Sequence, residues 1–234
     1  MRKTELTVLD LLDRLEEFYG AQTPDWPVDP YEFIVWWHCG YPASEAACNR
    51  GWKKLNQEVG FEPDELLGAS PAKLTNALRP GGMVPELRAQ RLKELALRVK
   101  SELAGDLRAA LNGPVAAARK KLKKFPGIAD PGADRILLFG SLSPVAAVPS
   151  NCPQVLVRIR YGLERESYGA NYRAAQELIA AEVPEKSDAR MRAYLLLKRH
   201  GQEVCKRGKP KCEECPVSVQ CMYFARNRSA ARRV

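Results

Sequence analysis

The chain has 234 residues, 45% hydrophobic and 28% charged, which is ample for one large domain or two modest ones and excludes wholesale disorder. Its 37 Lys and Arg outweigh 28 Asp and Glu, giving a formal charge of +9. That balance suits a polyanionic partner, nucleic acid ahead of an acidic membrane surface, and equally a merely soluble basic protein.

The pattern is helical almost throughout. A first helix is expected over Thr4–Tyr19, with Val8, Leu11, Leu12, Leu15 and Phe18 on one face and Gly20 as its stop; its acidic residues Asp10, Asp13, Glu16 and Glu17 exclude a secretory signal. After a Pro-rich loop, Asp29-Pro30 reads as an N-cap and first helical residue, with Glu32 completing a reciprocal capping pair. The helix it starts, through Phe33, Ile34, Val35, Trp36 and Trp37, is apolar nearly all round and should be buried. Ser44 caps the next, which carries Ala47, Cys48, Trp52 and Leu55, and Ser70-Pro71 opens a short one. Val84–Leu103 is long and amphipathic, with Leu92, Leu95, Val99 and Leu103 in register, and Met83 before it is read as core. Gly113-Pro114 opens a helix ending in the basic run Arg119–Lys124. Later helices are expected at Ala133–Leu142, Asn171–Ala180 and Asp188–Val204, the last capped by Ser187. Val155–Tyr161 is β-branched, but a lone strand lacks a partner, so it too is assigned as helix. No run of 18 apolar residues exists; a cytoplasmic protein is expected, nucleoid-associated in a prokaryote, with no membrane partner and with thiols kept reduced.

The strongest motif is Cys205-x6-Cys212-x2-Cys215-x5-Cys221. Four thiolates in so short a stretch converge only by wrapping one centre, and both zinc and iron–sulfur clusters take four cysteinates. Zinc ribbons pair two x2 knuckles, whereas one is present here, which favours a [4Fe–4S] cluster. A second motif runs from Leu122 through Phe125-Pro126-Gly127-Ile128-Ala129-Asp130-Pro131 to Leu137 and resembles a helix-hairpin-helix. Such a turn points backbone N–H groups at a phosphate beside a helix start. Pro126 and Gly127 supply the turn, while Phe125, Ile128, Ala133 and Ile136 pack the two helices. Ala129 stands where a second Gly is usual, and Asp130 sets a negative charge beside the anion site.

The cysteine loop resembles that of the endonuclease III family of DNA glycosylases. His200-Gly201 ahead of it and Lys209-Pro210-Lys211-Cys212 within it match that family, as does Asp29–Leu55 without a gap, so the resemblance covers about residues 5–226. It implies an all-α fold of two lobes with a DNA cleft between them. Residues 23–143 would form a six-helix barrel with the hairpin, and residues 1–22 plus 144–234 a terminal lobe carrying a [4Fe–4S] loop at 205–221. The cluster would be structural. Double-stranded DNA would be the partner, gripped by Lys206, Arg207, Lys209 and Lys211 and by the hairpin at Pro126, Gly127, Ile128 and Ala129, with Lys123 and Lys124 beside it.

The resemblance also places the family's catalytic Lys at Pro131, its catalytic Asp at Pro149 and its gap-filling Gln at Pro42, beside Tyr41. In the family the amine attacks the sugar C1′ and the carboxylate assists departure of the base. Proline performs neither role. Asp130 and Asp134 are weak substitutes, the latter expected to support the helix start, and Ser150 and Cys152 have no evident base partner. His38 and His200 read as structural. Met83 or Tyr41 as a wedge into DNA is the functional alternative to packing. The expectation is a DNA-binding iron–sulfur protein that lacks standard glycosylase and lyase chemistry and recognises damaged or distorted duplex. The rivals are an active glycosylase with a non-standard residue set and a redox cluster protein without DNA.

Overall fold

The computed structural model describes residues 6–231, which contain helices and no strand. In chain order these are α1 (Val8–Tyr19), α2 (Pro30–His38), α3 (Glu45–Glu58), α4 (Pro63–Gly68), α5 (Pro71–Leu78), α6 (Pro85–Glu102) and α7 (Leu107–Leu111). There follow α8 (Val115–Leu122), α9 (Asp130–Phe139), α10 (Gln154–Tyr161), α11 (Tyr168–Glu182), α12 (Ser187–Glu203) and α13 (Met222–Ala231). Single 3-10 turns occupy Arg79–Gly81 and Cys212–Glu214.

The chain divides into two compact units. One comprises the residues up to Thr23 and from Ser143 on; the other is Pro24–Leu142. In the first, Leu11, Leu12 and Leu15 of α1 join Val155 and Ile159 of α10, Ala175 and Ile179 of α11, and Leu196 and Leu197 of α12 in one core. The β-branched α10 is helical because Val155, Leu156, Val157 and Ile159 are all buried, and packing on every side outweighs local preference. In the second unit α2 is central, with Phe33, Ile34, Val35 and Trp36 buried. Arg135 of α9 lies in its aromatic layer, 3.7 Å over the Trp26 ring, and pairs with Glu45 at 2.9 Å. A cation is tolerated there because ring faces and a carboxylate replace its water.

Several ends differ from the sequence reading. The first helix begins at Val8 behind a Thr7–Asp10 capping box; Thr4 lies outside the described residues. Asp29 caps α2 by accepting from the Tyr31 and Glu32 amides, but no return bond from Glu32 accompanies it. An anionic cap repels the carboxylate that a Ser or Thr would welcome, and Asp29 accordingly raises the Glu32 pKa, after burial. Ser187 is the first residue of α12 rather than its cap; Lys186 precedes it. Helix α9 starts three residues early, at Asp130, because Pro131 fits a first turn whose N–H groups need no partner.

Candidate nucleic-acid interface and cysteine-lined site

The hairpin joins α8 to α9. Phe125, Ile128, Ala133 and Ile136 are buried between the two helices, leaving Gly127, Ala129 and Asp130 exposed at the turn. Gly127 has φ +74, and a Cβ there would meet the Tyr41 ring at 3.4 Å, so glycine serves both the turn and a close approach. Among the described residues, the Gly127 and Ala129 amides donate to no carbonyl, whereas Ile128 N donates to Phe125 O at 3.2 Å. Two free main-chain donors therefore stand beside the start of α9, a geometry suited to an anion. Pro126 is half-buried.

The basic run before the hairpin is largely matched from within. Lys123 pairs with Asp130 at 2.8 Å, Lys124 with Glu102 at 3.7 Å and Arg119 with Asp134 at 2.5 Å, while Lys121 donates to Ala110 O. Asp134 is not at the start of α9 as expected but one turn in. It is 1% exposed, caps no helix, and answers the part-exposed Arg119. Asp130 is the exposed acid of the pair of weak substitutes, and it too is paired.

Pro131 is half-buried in the first turn of α9. In the other unit, Pro149 and Cys152 are buried, and the Cys152 thiol faces Lys198 O at 3.9 Å. A Cβ on Gly201 would collide with Cys152, so α12 and the segment after Pro149 touch backbone to side chain.

Two turns of the second unit expose apolar tips. Tyr41 stacks on Trp37 with centroids 4.5 Å apart, and Pro42, joined to it by a cis peptide, is exposed. Met83 is 82% exposed, which corrects its reading as core: Gly82, at φ +106, and left-handed Val84 turn the chain outward there. His38 is buried, with Nδ1 on Ile34 O at 2.9 Å, and burial pushes its pKa down to about 4. It is structural.

The four loop cysteines border one small hollow together with Arg158, His200 and Tyr223. Lys211 N donates to Val204 O at 2.9 Å, which closes the x6 arm and returns Cys212 toward Cys205. Cys221 immediately precedes α13 and accepts from the Phe224 and Tyr223 amides; Cys215 accepts from Val217 N–H. Burial, reinforced by neighbouring sulfurs, raises Cys205 to about 11 and Cys215 to about 12. Gathered thiols so shifted become thiolates only with a cationic partner, so the chemistry of the donor set suits a multi-iron cluster. Among the described residues no three His, Cys, Asp or Glu side chains stand close enough to hold a single ion. His200, fully buried, bridges the Tyr19 hydroxyl at 3.1 Å and Cys215 Sγ at 3.7 Å.

Two arginines escaped the sequence reading. Arg158 is 3% exposed, lies 3.8 Å from Cys205 Sγ and donates to Lys206 O at 2.9 Å and Arg207 O at 2.7 Å. Arg88 is 1% exposed and donates to main-chain carbonyls only. Each interrupts an otherwise apolar register, Arg88 below Leu92, Leu95 and Val99, and that is the signal that would have found them. On the loop, Lys206, Arg207, Lys209 and Lys211 are all exposed, Lys211 pairing with Glu214 at 3.1 Å.

No protein-family model matches the chain. It is similar to the thymine-DNA glycosylase of Aeropyrum pernix, 27% identical over 165 residues that cover 69% of each protein. It is also similar to endonuclease III of Thermotoga maritima, 24% identical over 198 residues and 85% of each. Among solved structures, a trapped endonuclease III–DNA covalent intermediate superposes with a TM-score of 0.73 at 17% identity, covering 95% of this chain and 99% of that one. A thermostable thymine-DNA glycosylase gives 0.72 at 22%, covering 94% and 97%. The helical fold, the hairpin sequence and these relatives agree in supporting an endonuclease III-like helix–hairpin–helix DNA glycosylase superfamily as the one this chain resembles.

Proposed function

We propose that this protein binds duplex DNA through its hairpin and its cysteine loop, recognises damaged or distorted sites, and lacks the standard glycosylase and lyase chemistry of its superfamily. The observation that carries the last point is the pair of prolines. Pro131 sits in the first turn of α9 and Pro149 is buried, and neither ring offers an amine, a carboxylate or a hydroxyl. The nearest acids do not replace them well. Asp134 is buried against Arg119, and Asp130 is held by Lys123. The names of the relatives, DNA glycosylases and endonuclease III, support DNA as the partner.

Cys205, Cys212, Cys215 and Cys221 would hold a [4Fe–4S] cluster, which when bound pins the loop 205–221 in shape. Around it, Arg158 places positive charge beside Cys205 and steadies the Lys206 and Arg207 backbone, while neutral His200 turns one ring nitrogen to Tyr19 and the other to Cys215. Lys206, Arg207 and Lys209 then face the phosphates, and the Gly127 and Ala129 amides take one at the hairpin. Exposed Met83 and Pro42 meet a duplex where its stack is already weakened.

The test is a panel of duplexes carrying uracil, oxidised, alkylated or abasic sites, incubated with iron-loaded protein. Salt-dependent binding that favours the damaged duplexes, with no product, is expected. Base release, strand cleavage or a borohydride-trapped adduct would establish an active glycosylase with a non-standard residue set. No binding to any duplex at low salt would leave a redox cluster protein. Zinc in place of iron and sulfide would overturn the cluster.

A further inference from the structure

The guanidinium of Arg88 has no carboxylate among its hydrogen-bond partners. It donates from Nε to Met83 O at 3.1 Å, from Nη2 to Gly82 O at 2.6 Å and from Nη1 to Cys39 O. Those carbonyls belong to two turns far apart in sequence, Cys39–Ala43 after α2 and Gly81–Val84 before α6. The backbones around this contact are bare. A Cβ on Gly51 or on Gly81 would collide with the Cys39 carbonyl, and one on Gly40 would collide with Cys48. The turns also meet beyond the guanidinium, since a Cβ on Gly82 would lie 3.7 Å from the Ala43 Cβ. Burying an arginine among carbonyls is costly unless every donor is answered, and the return is geometric: a planar fork fixes three acceptors at once. Outward of this joint the two turns show apolar side chains to solvent, Pro42 and Ala43 on one and Met83 and Val84 on the other.

We infer that Arg88 is a positioning residue that locks the Pro42 turn and the Met83 turn into one rigid apolar ridge, set in advance to enter a disrupted base stack in duplex DNA. The inference rests on the DNA-binding reading above. A preorganised ridge loses little freedom on binding and meets an intact stack poorly, so rigidity here gives discrimination rather than general affinity. Sequence-independent attraction stays with the basic side chains elsewhere.

Two measurements on the iron-loaded full chain test it. In the first, hydrogen exchange is followed in the unaltered protein, alone and with a duplex bearing an abasic-site analogue. The Tyr41, Ala43 and Gly82 amides, bonded to Trp37 O, Gly40 O and Arg79 O, should be slow in the free protein and change little on binding. Fast exchange that slows only with DNA would overturn the inference. In the second, Arg88→Lys is compared with the parent on the abasic and the intact duplex. A lysine keeps the charge but cannot reach three carbonyls. The ratio of the two affinities should fall at least tenfold towards one, with binding to the intact duplex and its salt slope unchanged. An unchanged ratio, or equal loss on both duplexes, would sink it, and should the variant not fold, the exchange experiment decides. If the parent itself binds no duplex, or both equally, the DNA-recognition reading fails and takes this one with it. If the parent discriminates and Arg88→Lys does so equally well, only the role of Arg88 fails.

Discussion

Asp134 and His38 show what single buried groups contribute. Asp134 is 1% exposed against Arg119, so Asp134→Ala removes the partner and leaves the guanidinium facing a hole. Broken buried pairs cost about 3–5 kcal/mol, and Arg119 is part-exposed; a loss of about 3 kcal/mol is expected in urea unfolding. His38 is held neutral by burial, at about 4 against an ordinary 6.5. The unfolded chain therefore takes up a proton that the folded protein refuses, and stability is complete above 6.5 and lost as pH falls towards 4. The loss amounts to about 3 kcal/mol over that window. His38→Gln should flatten that part of the pH profile, measured as the difference in unfolding free energy between parent and variant. The sequence marked His38 as structural from its aromatic surroundings. It misplaced Met83, because a methionine beside an amphipathic helix reads as core until the left-handed Val84 and positive-φ Gly82 are seen.

At the scale of elements, legibility followed the strength of the local signal. The capped α1, α2 and α3 and the periodic α6 were readable to within a few residues. So was α10, whose residues favour a strand in isolation and whose helicity comes from burial on all sides. The hairpin was legible as a turn, from Pro126-Gly127, but not as a charge arrangement. No pattern in a single stretch tells Lys124 that Glu102 will stand beside it, because that pairing exists only after α6 and the hairpin pack together. The hairpin's own acid, Asp130, was legible as a charge beside the anion site; its pairing with Lys123 was not. Asp130 at the exposed start of α9 neutralises Lys123 and repels a phosphate. Asp130→Asn should therefore raise duplex affinity about two- to fivefold at low salt, an increase that shrinks as salt is added. A titration of labelled duplex at two ionic strengths reads both effects.

For the whole molecule, the cysteine loop ties the sequence ends of one unit together. Through His200 it reaches Tyr19 of α1, and through Arg158 it reaches α10. Cys212→Ser should lose iron and sulfide, bleach the visible absorption and make residues 205–221 the first site of proteolytic cleavage. The four-cysteine spacing announced this loop, and His200 was legible at a fixed distance ahead of Cys205; Arg158, which also braces it, comes from α10, so no spacing rule includes it. The uneven answering of charge has a kinetic consequence. Beside the hairpin, lysines are balanced by Asp130 and Glu102, whereas Lys206, Arg207 and Lys209 in the loop have no acidic partner among the described residues. On the proposed function, these three side chains would contribute more long-range attraction for a polyanion than the matched Lys123 and Lys124 beside the hairpin. Replacing those three loop side chains by alanine should slow association and lower the salt slope of binding by about 2–3, leaving the dissociation rate little changed. Gly127→Ala should do the reverse, leaving capture intact and shortening the lifetime of the complex, so stopped-flow traces of the two variants would separate the part that attracts DNA from the part that retains it.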